Sequence, residues 1–212
     1  MGRDPLRTRL CEDLGIEFPV VAFSHCKDVV VAVTNAGGLG VLGAGRRTPQ
    51  GVEADIGWIR ERVGGKPFGV DVLIPASVPP SGSLEQFQAH IPPAHKEFVE
   101  RIRQEYRIPP PKPGTSDESL MGPGLLTQEL ARQQIEVVLE NRVPVLASGL
   151  GNPAFILGAA HSRGIKVFGL VGSLRQAMRE KEAGVDYIVA QGYEAGGHTG
   201  DIGTFVLVPQ VV

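Results

Sequence analysis

The sequence predicts a parallel α/β fold, and three features carry that prediction. Short apolar runs rich in β-branched residues recur along the chain. Between them lie amphipathic stretches with helical spacing, marked off by capping residues and glycines. The runs are apolar on both sides, as strands covered on two faces are. Alternation of this kind builds either an open, doubly wound sheet or a closed barrel, and periodicity does not choose between them.

The predicted strands are Phe18–Phe23, Leu39–Leu42, Phe68–Ile74, Val143–Ala147, Lys166–Val171 and Asp186–Ala190. Asp28 reads as the cap of a first helix that stops at Gly37–Gly38. Thr48 and Pro49 open a second, with Val52, Ile56, Ile59 and Val63 at helical spacing before Gly64 ends it. Thr127 caps another, with Leu130, Gln134, Val137 and Val138 along one side. Asn152 with Pro153 opens a helix closed at Gly164, and Ser173 with Gln176 forms a capping box for one that runs to Gly184.

One segment breaks the rhythm. Ten of the seventeen prolines lie between Pro75 and Pro123, too many for a regular β/α unit. Phe98, Ile102 and Tyr106 form a helical stripe inside it, and Pro109–Pro113 reads as extended. An insertion over about 75–126, after the third strand, is expected, either covering part of a barrel mouth or lying as a surface loop. At the other end, Pro209 reads as the first residue of a helix left without a cap at Val212, which suggests a truncated domain.

Composition removes several function classes. The 212 residues are 42% hydrophobic with a formal net charge of −2, enough for one buried core and one domain over 1–212. A near-neutral balance offers nothing to nucleic acid or to an anionic membrane surface. Cys11 and Cys26 are too few for a disulfide framework and lack metal-ligand spacing, so reduced thiols, no metal and a cytoplasmic location are expected. Met1–Leu10 has no apolar core of a signal peptide, and Leu6 stands where a myristoylation motif following Gly2 needs Ser or Thr. No apolar run approaches the roughly 20 residues of a membrane-spanning helix.

Two glycine-rich segments invite a cofactor reading. Gly38-Leu-Gly-Val-Leu-Gly43 matches G-x-G-x-x-G, but a helix leads into it and a strand runs through it. That reverses the strand–loop–helix order which gives the dinucleotide pattern its force, so it is read as a glycine cap and strand entry. Gln191-Gly-Tyr-Glu-Ala-Gly-Gly-His198, followed by Thr199-Gly200-Asp201, leaves the sixth strand at its C-terminal end, where parallel barrels place their chemistry. Its glycines let backbone N–H groups approach an anion or a ring. Gln191 offers both donors and acceptors, and His198 is a candidate proton acceptor. Gly172–Ser173 opens a helix whose free N–H groups favour negative charge. Ser148, Gly149, Gly172 and Ser173 read equally as site residues or as ordinary turn and cap residues. His25 reads equally as a second site candidate or as a structural histidine, and His90, His95 and His161 as solvent-facing.

Asn35-Ala-Gly-Gly-Leu-Gly40, Pro67-Phe-Gly-Val-Asp71 and Gln191-Gly-Tyr-Glu-Ala-Gly-Gly-His198 together resemble three signatures of the nitronate monooxygenases, FMN-dependent enzymes once called 2-nitropropane dioxygenases. The resemblance runs from Phe18 to Val212 outside the proline-rich segment. It implies a (β/α)8 TIM barrel, of which about six of eight β/α units are present here, with FMN across the C-terminal strand ends. It also implies oxidation of alkyl nitronates or nitroalkanes by O2. Position by position, Ala22, Phe23 and Ser24 would contact the flavin through backbone, and Asp71 would meet the ring. Gln191, Gly192, Gly196 and Gly197 would hold the ring and ribityl region, with Ser148 and Gly172 at the same face, and His198 would take the substrate's α-proton. Glu194 either orients the loop, tunes the histidine or is solvated. The implied partners are a small-molecule substrate and O2, with homo-oligomerisation open.

Three departures from the family pattern matter. Ala22-Phe-Ser24 and then His25 stand where Ala-Pro-Met is usual, and Asp71 stands where Asn is usual. The glycine-rich loops that complete the phosphate site lie beyond the six units, so weak FMN binding by this polypeptide alone is expected. Two alternatives remain: an NAD(P)H-dependent FMN reductase of the same barrel family, of the quinone or enoyl-acyl-carrier-protein type, or a non-catalytic fragment.

Overall fold

Six parallel strands lie side by side in the order of the sequence: β1 (Val21–Ser24), β2 (Leu39–Gly43), β3 (Gly69–Leu73), β4 (Val145–Gly149), β5 (Lys166–Val171) and β6 (Tyr187–Ala190). A doubly wound sheet reverses its strand order at a switch point. This one never reverses, which is the arrangement of a (β/α)8 barrel with six of its eight units. The computed structural model describes residues 6–45, 47–74, 89–109 and 127–212.

The helices are α1 (Arg9–Leu14), α2 (Lys27–Asn35), α3 (Pro49–Val63), α4 (Pro93–Glu105), α5 (Gln128–Glu140), a 3-10 turn Pro153–Ile156 running into α6 (Leu157–His161), α7 (Leu174–Ala183) and α8 (Thr204–Val211). Successive strand residues face opposite sides, and both sides are apolar. Leu42, Val70, Val72, Leu146 and Val167 pack outward in one cluster with Val52, Ile56 and Ile59 of α3 and Ile135 and Val138 of α5. Each fully buried Ile of that stripe contributes roughly 1.5–3 kcal/mol. Leu39, Val41, Val145, Ala147 and Phe168 point inward and pack with Cys11 and Ile16, so α1 and the turn after it close the N-terminal end of the barrel. The Tyr187 hydroxyl donates to Asp13 from that plug.

Capping chemistry explains most of the helix boundaries. Thr48 accepts from Gly51 N–H at 3.0 Å and Thr127 from Leu130 N–H at 3.1 Å. Ser173 accepts from Gln176 N–H, but the Gln176 side chain reaches one residue beyond the usual partner, to Gly172 N–H at 2.8 Å. Asp28 is not a cap. Cys26 occupies that position and Asp28 lies in the first turn, where its charge suits the helix dipole.

Prolines move two strand starts. β1 begins after Pro19 and β4 after Pro144, because neither proline can donate to a ladder. β4 therefore ends at Gly149, and Ser148 lies within the strand. Pro209 sits inside α8, which starts five residues earlier at Thr204. α4 forms at the expected stripe but buries none of its residues against the described chain. The flanking parts of the expected insertion, and Pro110–Pro113, lie outside the described residues. His161 is not merely solvent-facing: its Nε2 lies 2.9 Å from Asp186, which also accepts from Lys166 and Val167 N–H. Burial pushes the Asp186 carboxyl up, yet the hydrogen bonds from Lys166, Val167 and His161 outweigh it and hold it below its ordinary value.

Candidate active site at the C-terminal rim of the barrel

Alternation along the strands sorts the rim by side. Phe23 on β1, Gly43 on β2, Asp71 on β3, Ala147 and Gly149 on β4, and Leu170 on β5 share the inward set, by register with the inner cluster. Ala22, Ser24 and Ser148 fall in the outward set. Ser148 is fully buried, and its hydroxyl donates to the Gly151 carbonyl at 3.4 Å, tying down the loop after β4. Ser24 Oγ accepts from Cys26 N–H at 3.0 Å. These serines, read as site residues from the sequence, spend their side chains on the scaffold, and their backbones alone lie at the rim.

The β1–β3 side of the rim is held by side chains that motif matching missed. Arg47 donates to the carbonyls of Gly43 (3.1 Å) and His25 (2.8 Å), and its Nε pairs with Asp55. Asp55, buried on α3, also accepts from Lys27 at 2.8 Å. From α5, the buried Gln134 amide donates to the carbonyls of Ala44 (2.9 Å) and Arg47 (2.8 Å). Each group here is a charged or amide donor aimed at a loop carbonyl, which fixes the loop where a glycine pattern alone would not. Gln134 did carry a signal in the sequence, as the one polar residue of an apolar stripe.

The β5–β6 side is built from backbone. Gln191 is half-buried, and its N–H extends the ladder to the Val171 carbonyl at 2.8 Å. At Gly192 an added Cβ would fall 2.4 Å from Thr204 N, so only glycine lets this loop fold back onto α8. Glu194 caps that helix, accepting from Thr204 N–H (2.9 Å) and hydroxyl (2.8 Å). Its own backbone N–H and those two donors hold its carboxylate below the ordinary value. Among the expectations for Glu194, loop orientation is the one the geometry bears out. Gly172 packs on Gly200, joining the loops after β5 and β6. Gly196, Gly197 and His198 are exposed, and space is open around both glycines.

Among the described residues, two carboxyls are buried without a hydrogen-bond partner for one oxygen, Asp71 Oδ1 and Glu180 Oε2. Asp71 lies on β3, paired with Gly43 on one side and Ala147 on the other, and is 5% exposed. Desolvation pushes it up to about 7. Its orphaned oxygen lies 3.8 Å from where a Cβ on Gly149 would stand. The space over Gly43 is taken by the Phe23 and His25 rings and that over Gly149 by Leu73, and among the described residues no group supplies the partner this acid lacks. Glu180, on α7, lies on the opposite face against Gly169 of β5, and burial pushes it too up to about 7.

Comparison with known proteins places this geometry. The sequence profile of the nitronate monooxygenase family matches residues 7–212. Rv1533 of Mycobacterium tuberculosis, named for a monooxygenase, is 43% identical over 98% of this chain and 56% of its own length. FabK of Thermotoga maritima superposes with a TM-score of 0.67 at 28% identity, over 97% of this chain and 50% of that one. A nitroalkane oxidase of Streptomyces ansochromogenes gives 0.66 at 25% identity, over 96% and 57%. The chain thus spans about half the length of the relatives it matches, and by its profile match it belongs to the nitronate monooxygenase family.

Proposed function

We propose that this chain is the FMN-binding, proton-handling part of an enzyme that oxidises small nitronates or nitroalkanes with O2. The observation that carries the reading is Asp71: a buried carboxyl with an unpaired oxygen, on the strand ends that also lead into the Glu-Ala-Gly-Gly-His loop. The donor set suits a flavin. Near neutral pH Asp71 exists in both forms, so it can donate to or accept from a ring edge. Gln191 supplies an amide, and Gly196–Gly197 offer backbone N–H groups in open space. Backbone of Ala22, Phe23, Ser24, Ser148, Gly172 and Gly192 completes the holding set. Bound there, FMN would supply the electron-accepting chemistry that no side chain offers.

The chain's own part is to position the substrate and move a proton. His198, at the end of a loop anchored by Glu194 on α8, would take the α-proton of a nitroalkane as the electron pair passes to the nitro oxygens. The likeness to a nitroalkane oxidase supports this substrate class. The experiment is anaerobic flavin bleaching of FMN-loaded protein, offered ethyl nitronate or NAD(P)H in turn. Bleaching by the nitronate is expected. Bleaching by NAD(P)H alone would replace this reading with the reductase, and a protein that neither binds FMN nor bleaches would be a non-catalytic fragment.

A further inference from the structure

We propose that His25 is a second proton-transfer residue of this site, with Nε2 as the accepting atom for a carbon-acid substrate held on the β1–β2 side; this rests on the reading of the rim as the substrate site. His25 follows β1 at the rim, and its Nδ1 lies 3.2 Å from the Gly43 carbonyl oxygen. A carbonyl only accepts, so Nδ1 carries the hydrogen, and the neutral ring keeps its lone pair on Nε2. Among the described residues Nε2 has no partner.

Phe23, Gly43 and Arg47 set where the ring lies at the rim. Phe23 meets it edge-on, with centroids 5.0 Å apart and planes at 80°. Gly43 makes room for both rings, since a Cβ there would fall 2.6 Å from Phe23 and 2.7 Å from His25 Nδ1. Arg47 holds the His25 carbonyl and the Gly43 carbonyl with one guanidinium. The charged and titratable groups around it are Arg47 itself, Asp71 at the strand position paired with Gly43, Cys26 and Asp28 at the start of α2, and Lys27 on Asp55. A histidine kept only for packing has no need of a fixed tautomer that leaves its basic nitrogen bare at the mouth of a barrel. The step balances simply: the substrate's C–H bond breaks, its electron pair moves onto the nitro group, and the proton bonds to Nε2. Nδ1–H stays on Gly43, and the exposed ring returns the proton to solvent.

The test separates the anchor from the base. In His25→Asn the amide nitrogen stands near Nδ1 and can still donate to Gly43, while the basic Nε2 is gone; His25→Gln loses both the donor to Gly43 and the basic nitrogen. The probe is anaerobic exchange of the α-proton of nitroethane for deuterium, followed by NMR, which needs neither O2 nor flavin turnover. Because His198 can take the same proton, the variant is read in a His198→Asn background, where we expect His25→Asn to slow the remaining protein-dependent exchange about 100-fold or more, with FMN affinity and melting temperature unchanged. We also expect 15N NMR of flavin-free wild-type protein to show the neutral ring with its hydrogen on Nδ1. Exchange in the double variant within twofold of that in His198→Asn alone, or an Nε2–H tautomer, would overturn the proposal. A wild-type protein that does not accelerate exchange removes the nitroalkane reading and His25's role together; a double variant no slower than His198→Asn removes only His25's role.

Discussion

The two sides of the rim are built on opposite principles. From β1 to β3 the loops are pinned by side chains: Arg47 on two carbonyls, Gln134 on two more, and Asp55 behind Arg47. From β5 to β6 the loops are shaped by missing side chains. Gly172 lies on Gly200 and Gly192 on Thr204, and one carboxylate, Glu194, ties the long loop to α8. A pinned loop has spent its backbone carbonyls and holds what is left over, here His25 Nε2 and Asp71 Oδ1, in fixed positions. A glycine loop with exposed N–H groups and open space keeps those groups for a ligand. The β1–β3 side is therefore set before any ligand arrives, and the β5–β6 side is the one a ligand would order.

The sharpest way to break that contrast is Asp55→Asn. Asp55 carries two cations, with side-chain exposures of 8% for Asp55 and 13% for Arg47. Removing its charge leaves Arg47 half-buried without a counter-ion, and breaking a buried pair costs about 3–5 kcal/mol. For a domain of this size that lowers the melting temperature by roughly 6–20 °C. Thermal and urea melts check it, and a loss below about 1 kcal/mol would mean the β1–β3 side is not held by this cluster.

How much of this was legible in the sequence follows the same division. The β5–β6 side is written in glycines and one histidine, residue types that stand out in a linear reading, so Gln191–His198 could be placed on the rim from spacing alone. The β1–β3 side depends on side chains far apart in sequence, such as Gln134 reaching Ala44 and Arg47. No local motif announces such contacts. Which way the serines face follows from alternation alone: Ser148, two residues on from Leu146, turns toward the helices, and its side chain serves the loop after β4. The helices were legible because Thr48, Thr127, Asn152 and Ser173 each satisfy an N–H within four residues, a purely local bargain.

A smaller effect separates Asp71 from its scaffold. Its carboxyl lies near 3.8 in the unfolded chain and is pushed up to about 7 when folded. Between those values the native state holds a proton that the unfolded chain has released. Stability therefore falls as pH rises from about 4 to 7 and is flat above that. Asp71→Asn removes this slope. With local relaxation around the charge, it should gain about 2 kcal/mol on wild type between pH 4.5 and pH 8. Glu180 gives a slope of the same sign in both proteins and cancels in the difference. Urea melts at the two pH values check it, and parallel curves would show that Asp71 is solvated in the folded protein. FMN that pairs the orphaned oxygen should change the wild-type slope and leave the variant's alone.

The smallest effect is expected at Glu194, the side-chain tie between the loop after β6 and α8. Glu194→Gln keeps an acceptor near Thr204 but removes the charge that favours a helix N-terminus. The group is exposed, so solvent already screens most of that charge, and the melting temperature should not move measurably. Amide exchange at Thr204 and Phe205 should quicken instead, because local opening of α8 is cheaper than global unfolding. If Glu194→Gln cost as much stability as Asp55→Asn, the β5–β6 side would be pinned as firmly as its neighbour. A ligand would then find both sides of the rim set, and ordering of the glycine loop could not contribute to its binding.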